Sequence, residues 1–319
     1  MKKTQAQTNP YRNSDTNKRY YTYEYYLRRR FGAKCAKIPL DAGFSCPNID
    51  AGGGCIYCSG RGSGDSIPCG LTLREQYEAG RASLSSKWDT SRCIAYLQAH
   101  TNTYAPVEVL RRTYDEILSF EGVLGFNIAT RADCLSEEVC RLLAEVSERT
   151  VLTVELGLQS SSDATAAAIG RGHSFSQFCE GYRRLRSLAP RAEICVHIIF
   201  GLPDESREDM MRTVRDVAAL APEQVKIHLL HVLRGTPMCD IYNEGAYRPL
   251  EKDEYVSLVA EALTYLPPDT VIGRLTGDGL AEELVAPLWS RQKTAVINDI
   301  DKKMYENDIW QGKFFKSLQ

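Results

Sequence analysis

The residues best suited to chemistry lie in one stretch, Asp41-Ala-Gly-Phe-Ser-Cys46-Pro47-Asn48, running on to Gly52-Gly-Gly-Cys55-Ile-Tyr57-Cys58. A Cys-x8-Cys-x2-Cys set places three soft thiolates in one glycine-rich loop. The glycines let the backbone wrap a metal group, and Pro47 stiffens the entry. Three is the informative number. A closed zinc site or an electron-transfer cluster takes a fourth protein ligand, whereas a [4Fe–4S] cluster held by three thiolates keeps one iron open for a substrate or cofactor. A zinc site completed by a remote histidine is the competing reading. The other cysteines (Cys35, Cys69, Cys93, Cys134, Cys140, Cys179, Cys195 and Cys239) show no ligand-like pairing and read as buried, inert thiols.

Composition sets the outer bounds. The 319 residues carry 39 Lys plus Arg against 41 Asp plus Glu, a net charge of −2. That excludes a uniformly basic nucleic-acid coat protein while leaving room for a local basic face. No apolar run reaches the roughly 18 residues that span a bilayer, and the N-terminus is polar from Met1 to Arg30. No membrane association is therefore expected. A cytoplasmic location follows, where structural disulfides are rare.

The cysteine loop needs a scaffold, and one is legible from about Lys34 onward. Strands are expected at Ala36–Asp41, Cys93–Gln98, Gly125–Thr130, Val151–Leu158, Ile194–Phe200 and Val225–Val232, with a further one at Val271–Thr276. Helical patterns separate them near Thr72–Ser86, Pro106–Phe120, Ser136–Ser147, Phe175–Ser187, Glu205–Leu220 and Asp253–Leu266. Pro106 suits a first turn and Ser136 a helix cap. The strands read as apolar on both faces, as when helices cover a parallel sheet. The serial β/α units predict an α/β fold, a full or partial (β/α) barrel of TIM type, in which polar groups at strand C-terminal ends build the site. Those ends carry Gln98, His100, Thr101-Asn102-Thr103-Tyr104, Thr130-Arg131, Glu155 and Gln159. Arg171 follows in a Gly-Arg-Gly turn, and His197 lies within strand five. Singly, His197 also reads as a core histidine and Arg131 as a surface charge. Glu155, inside Val-Leu-Thr-Val-Glu-Leu, is costly to bury without a partner.

With these residues in view, the chain resembles the radical S-adenosylmethionine (SAM) superfamily, in particular the branch whose cysteines are widely spaced and which includes the Elongator catalytic subunit. The resemblance implies that Cys46, Cys55 and Cys58 hold a [4Fe–4S] cluster whose open iron binds SAM. Reductive cleavage then yields a 5′-deoxyadenosyl radical that abstracts hydrogen from a substrate, with flavodoxin or ferredoxin as electron source. Tyr57 is the aromatic common before the last cysteine. Gln98 and Thr101 fall in the place of the motif that receives the SAM amino group. Gln159 and Arg171 look like the ribose- and carboxylate-contacting pair, and His197 stands where several members carry Asp. Glu155, Arg131 and Lys293 are the candidates for substrate-carboxylate or proton handling.

A narrower likeness, to the YtqA/YhcC branch, rests on Lys18-Arg-Tyr20-Tyr21-Thr22, Gln98-Ala-His-Thr-Asn-Thr-Tyr104-Ala-Pro106, Thr276-Gly-Asp278-Gly279 and Ala286-Pro287-Leu288-Trp289 with Lys293 and Asn298-Asp-Ile300. The branch includes MnmL, which acts on the tRNA wobble uridine. It implies conversion of 5-carboxymethylaminomethyl(2-thio)uridine to 5-aminomethyl(2-thio)uridine in the anticodon loop, with hydrogen taken from the glycine-derived methylene. The expected layout is a basic-aromatic extension over 1–34, a radical SAM core over 35–235, and a segment 236–319 that completes the barrel and substrate face. Residues 10–37 interleave Arg12, Lys18, Arg19, Arg28, Arg29, Arg30, Lys34 and Lys37 with Tyr11, Tyr20, Tyr21, Tyr23, Tyr25, Tyr26 and Phe31. Such a mixture serves RNA phosphates and splayed bases, or else the aromatics pack inward and leave the arginines solvated. A radical SAM enzyme for a small molecule or peptide, and a non-catalytic zinc-binding RNA protein, are the alternatives.

Overall fold

A computed structural model describes residues 9–62, 67–86, 88–277 and 281–316; Asp278 and Gly279 of the expected motif lie outside them. Seven parallel strands form one sheet in the order β1-β2-β3-β4-β5-β6-β8. These are β1 Ala36–Leu40, β2 Cys93–Leu97, β3 Val123–Thr130, β4 Val151–Gln159, β5 Glu193–Phe200, β6 Gln224–Leu229 and β8 Val271–Arg274. A small antiparallel pair, β7 Val232–Leu233 with β9 Leu284–Ala286, stands apart. The edges β1 and β8 are not paired with each other, so the barrel is partial and open along one seam.

In β4, β5 and β6 the two faces differ, against the expectation of two apolar faces. Leu152, Val154, Leu156 and Leu158 of β4, Ile194, Val196 and Ile198 of β5, and Val225, Ile227 and Leu229 of β6 all point outward into one hydrophobic core. Their neighbours Thr153, Glu155 and Gly157, Cys195 and His197, and Gln224, Lys226 and His228 occupy the inner face. The reason is geometric. Helices pack only on the outside of the half-barrel, while its concave side in β4 to β6 is lined by polar side chains.

The helices are α1 Tyr23–Phe31, α2 Pro47–Asp50, α3 Leu73–Leu84, α4 Val107–Leu118, α5 Glu137–Arg149, α6 Asp163–Ala168, α7 Phe175–Leu188, α8 Arg207–Leu220, α9 Pro237–Asn243, α10 Lys252–Tyr265 and α11 Lys293–Glu306. Their starts are written locally. Thr72, Ser174 and Ser206 form reciprocal capping boxes with Glu75, Gln177 and Asp209, and Ser136 accepts from the Val139 amide. Pro106 occupies the cap position before α4. The sixth strand ends at Leu229, three residues before the expected boundary. Its partner β5 stops at Phe200, whose carbonyl takes the Leu230 amide, and the chain then turns away into β7.

The N-terminal aromatics pack; they are not presented for stacking. Tyr11 and Tyr20 are buried, Tyr23 stacks on Tyr26, and the Tyr26 hydroxyl donates to both carboxylate oxygens of Glu193 at 2.6 and 2.8 Å. Phe31 lies against Gly125. Because Glu193 and Gly125 stand at the N-terminal ends of β5 and β3, α1 closes the barrel end opposite the cysteine loop. Its Arg29 and Arg30 remain exposed. Cys69 departs from the expectation of a buried thiol: it sits exposed in the turn before α3.

Candidate active site

Every predicted site residue except Lys293 lines one cavity at the C-terminal ends of the strands. This cavity encloses about 920 Å³ of empty space, mouth included. Lys293 instead begins α11, away from that lining.

The loop after β1 forms the first wall. Cys46 precedes α2, with Pro47 at its first turn, and the Cys46 carbonyl accepts from the amides of Ile49 and Asp50. Asn48 donates through Nδ2 to the carbonyls of Gly170 and Arg171 at 2.7 and 2.8 Å and lies 3.4 Å from Cys55 Sγ. A hydrogen bond from Cys58, with the Arg171 charge, Asn48 and Tyr57 also acting, brings the Cys55 thiol down to about 5, and Cys58 as the proton holder of the pair moves up. Arg131, 3% exposed, is clamped by Asp133 through two bonds of 2.9 and 2.7 Å and stands 4.0 Å from Cys46 Sγ. It is therefore no surface charge, and its guanidinium faces the cysteine loop.

The second wall belongs to β4 and the turn that follows it. Arg171 donates through Nη2 to the Gly157 carbonyl. A Cβ at 157 would crowd the ends of two side chains, 2.8 Å from Gln159 Nε2 and 3.0 Å from Arg171 Nη2. Gln159 itself adopts φ 75°, an unusual backbone for a non-glycine residue. Across the cavity, the Thr101 amide donates to the Ser45 carbonyl at 3.2 Å. Asn102 Nδ2 ties Ala99 and Ala129 by bonds of 2.9 Å each, which gives this segment its form despite lacking glycines.

The floor is an ionic group that the sequence only hinted at. Glu155 Oε1 accepts from Lys37 Nζ and Asn127 Nδ2, each at 2.8 Å, and Oε2 meets His197 Nε2 at 2.9 Å and Lys226 Nζ. Burial alone would raise the Glu155 carboxyl. The ammonium groups of Lys226 and Lys37, with His197, instead hold it well below the usual range. Burial and the Lys226 charge bring His197 down to about 4, so it is neutral. Lys37, Asn127, Lys226, Tyr96 and His228 were missed from sequence. The alternation of Gln224-Val-Lys226-Ile-His228-Leu in β6 was the available signal.

The donor set suits an anionic iron–sulfur cluster and a polar ligand. Three thiols line one cavity with two guanidinium groups near them. Arg171 Nε, buried and without a hydrogen-bond partner, is a donor left for a bound group.

Fold and site together define a class, a parallel half-barrel with a tri-cysteine loop after its first strand. The chain belongs to the radical SAM superfamily: that family's model matches residues 48–217, and the Radical_SAM C-terminal domain matches residues 222–306. The family uses a [4Fe–4S] cluster and SAM. YtqA of Bacillus subtilis is 45% identical over 317 residues, covering 98% of each chain, and YhcC of Escherichia coli K12 is 32% identical over 289 residues, covering 89% of this chain and 91% of that one. Among solved structures, the archaeal Methanocaldococcus infernus Elp3 lacking residues 1–46 superposes with a TM-score of 0.66 at 18% identity, covering 87% of this chain and 64% of that one, and so shares the fold. Among the described residues no helix is long and apolar enough to cross a membrane.

Proposed function

We propose that this radical SAM enzyme modifies the tRNA wobble uridine in the cytoplasm, converting 5-carboxymethylaminomethyl(2-thio)uridine to 5-aminomethyl(2-thio)uridine. The cluster and SAM would supply a 5′-deoxyadenosyl radical that takes hydrogen from the glycine-derived methylene. Loss of one further electron, back to the oxidised cluster, would leave an imine whose C=N bond water hydrolyses, freeing the amine and releasing the two-carbon fragment as glyoxylate. Cys46, Cys55 and Cys58 would hold the cluster, with Asn48 and Arg131 bracing their loop. Tyr57, Gln98, Thr101, Gln159, Arg171 and His197 would orient SAM, Arg171 through its spare Nε–H. Glu155, engaged on both oxygens, would hold Lys37 and Lys226 in place. Flavodoxin or ferredoxin would reduce the cluster.

The observation that supports an RNA substrate is charge segregation in the N-terminal segment. Its tyrosines turn inward while Arg12, Arg29, Arg30 and Lys34 stay exposed, on a chain of net charge −2. The likeness to YtqA also runs through this segment. The packed aromatics favour a second reading, a small-molecule or peptide substrate, with α1 serving only as a plug.

Anaerobic reconstitution followed by reduction with SAM, with and without tRNA carrying the carboxymethylaminomethyl group, separates the two. Deoxyadenosine that rises with tRNA, together with loss of the modified nucleoside, is the expected result. Deoxyadenosine indifferent to tRNA overturns the RNA reading.

A further inference from the structure

Strand β6 turns Gln224, Lys226 and His228 toward the barrel interior, and their partners differ. Gln224 Nε2 donates to Glu193 at 2.8 Å and Lys226 Nζ bonds Glu155, whereas His228 Nε2 is buried with no hydrogen-bond partner. An unpaired polar atom in such a place is costly and marks a position where a further group belongs. The His228 ring lines the cysteine cavity, 5.2 Å from the ring of His197, centroid to centroid.

His228 is uncharged. Burial, His197 and the charges of Arg274 and Lys226 hold its imidazole well below the usual range, outweighing Glu155. Two other residues of the same lining are uncharged as well. Burial and Lys226 bring His197 to about 4, and burial with the Glu155 charge pushes the Tyr96 phenol up. The charged groups of the cavity are already engaged: Arg131 is clamped by Asp133, Arg171 reaches Gly157 beside the cysteine loop, and Glu155 is bonded on both oxygens. A neutral imidazole among them serves neither an anion nor a cation, and offers one N–H or one lone pair. Its place also differs from that of the groups that brace the cysteine loop. Those lie at the ends of β3 and β4, while His228 stands on β6, two strands further along the sheet.

We propose that His228 determines specificity by hydrogen-bonding, through Nε2, an uncharged ring heteroatom of the substrate. Uracil fits this role. One edge of that base presents the acceptor O4 beside the donor N3–H, so either tautomer of the imidazole finds a partner. A ring without such an atom leaves Nε2 unpaired and is rejected for that reason. The proposal rests on the function proposed above only for the identity of the ring, the modified uracil.

The test is binding, measured by calorimetry on the anaerobic cluster-loaded protein with SAM present. The probes are the nucleoside 5-carboxymethylaminomethyluridine and N-benzylglycine, which carries the same amine and carboxylate on a ring without heteroatoms. The preference for the nucleoside should fall about tenfold in His228→Phe, the size of one buried hydrogen bond. It should recover in His228→Gln, whose amide reaches the place of Nε2, and not in His228→Asn, whose amide is one carbon shorter. Melting curves verify that each variant folds, and if His228→Phe does not, the pair His228→Gln and His228→Asn carries the test. Equilibrium dialysis measures SAM affinity in the same proteins. A preference unchanged in His228→Phe, a nucleoside that the wild type does not bind, or SAM affinity that falls as far as nucleoside affinity overturns the proposal. Failure of the tRNA assay with the preference still lost in His228→Phe sinks the RNA reading alone. Turnover of tRNA with an unchanged preference sinks this proposal alone.

Discussion

Asn48 donates to the carbonyl oxygen of Arg171 at 2.8 Å, across 123 positions of sequence. The bond joins the cysteine loop to the turn whose guanidinium reaches Gly157, so the walls proposed to hold the cluster and SAM are tied directly together. It places Asn48 as a positioning residue for both.

Asn48→Ala should leave the three thiols in place while freeing Arg171. Losing these hydrogen bonds costs about 1–3 kcal/mol of local stability. The expected outcome is iron content near wild type with SAM affinity reduced about tenfold, read by iron analysis and equilibrium dialysis. Iron loss as complete as in Cys55→Ser would show instead that Asn48 acts on the cluster alone.

Gly172 offers a sharper version of the same test. It has φ 78°, and a Cβ there would stand 2.2 Å from Asn48 Oδ1. Gly172→Ala must therefore displace Asn48 as well as strain the backbone, at roughly 1–3 kcal/mol. SAM binding should fall at least as far as in Asn48→Ala, and combining the two changes should add little. Additive losses would mean that the residues act separately.

Lys37 makes stability depend on pH with a defined sign. Its folded value of about 7 lies below that of an unfolded lysine, near 10.4, so between these values the unfolded chain binds more protons. Wild-type stability relative to Lys37→Met should therefore rise with pH from about 7 to 10, by at most ~1.4 kcal/mol per unit, and be flat below. Denaturant unfolding of both proteins at pH 6, 8 and 9.5 measures it. A difference that shrinks as pH rises would refute the assignment.

The two faces of α1 should separate in mutation. Tyr26→Phe removes the bond to Glu193 and should cost about 1.5–3 kcal/mol, without changing the salt dependence of tRNA binding. Arg29→Glu with Arg30→Glu should leave the melting temperature nearly unchanged yet weaken tRNA binding. It should also flatten the dependence of log affinity on log salt by about two units. An unchanged slope would identify α1 as a plug only.

Much of this molecule was legible in its residues. The cysteine spacing put three thiols on one loop, and the cap Ser136 marked a helix start. The polar strand ends from Gln98 to His197 did converge on one cavity. Lys293, at the start of α11, is not part of that lining. The inner face of the sheet escaped notice because Gly157, Cys195 and Ile199 pass for apolar, so the alternation with Glu155, His197 and Lys226 was masked. The tyrosines of residues 11–26 read equally as base-stacking groups or as core, and only the position of Glu193 above α1 settled that they pack.

The sequence by itself determined what is local: three thiols on a flexible loop, capped helices, short strands in series, and a net charge near zero. Tertiary structure alone decided which charges meet. Lys37 and Glu155 are 118 residues apart, and Glu155 and Lys226 are 71 apart. Their encounter depends on the register of strands β1, β4 and β6 and on the curvature that leaves β1 and β8 unpaired. Both are set by packing of the outer apolar faces against helices, which no local pattern around a lysine records.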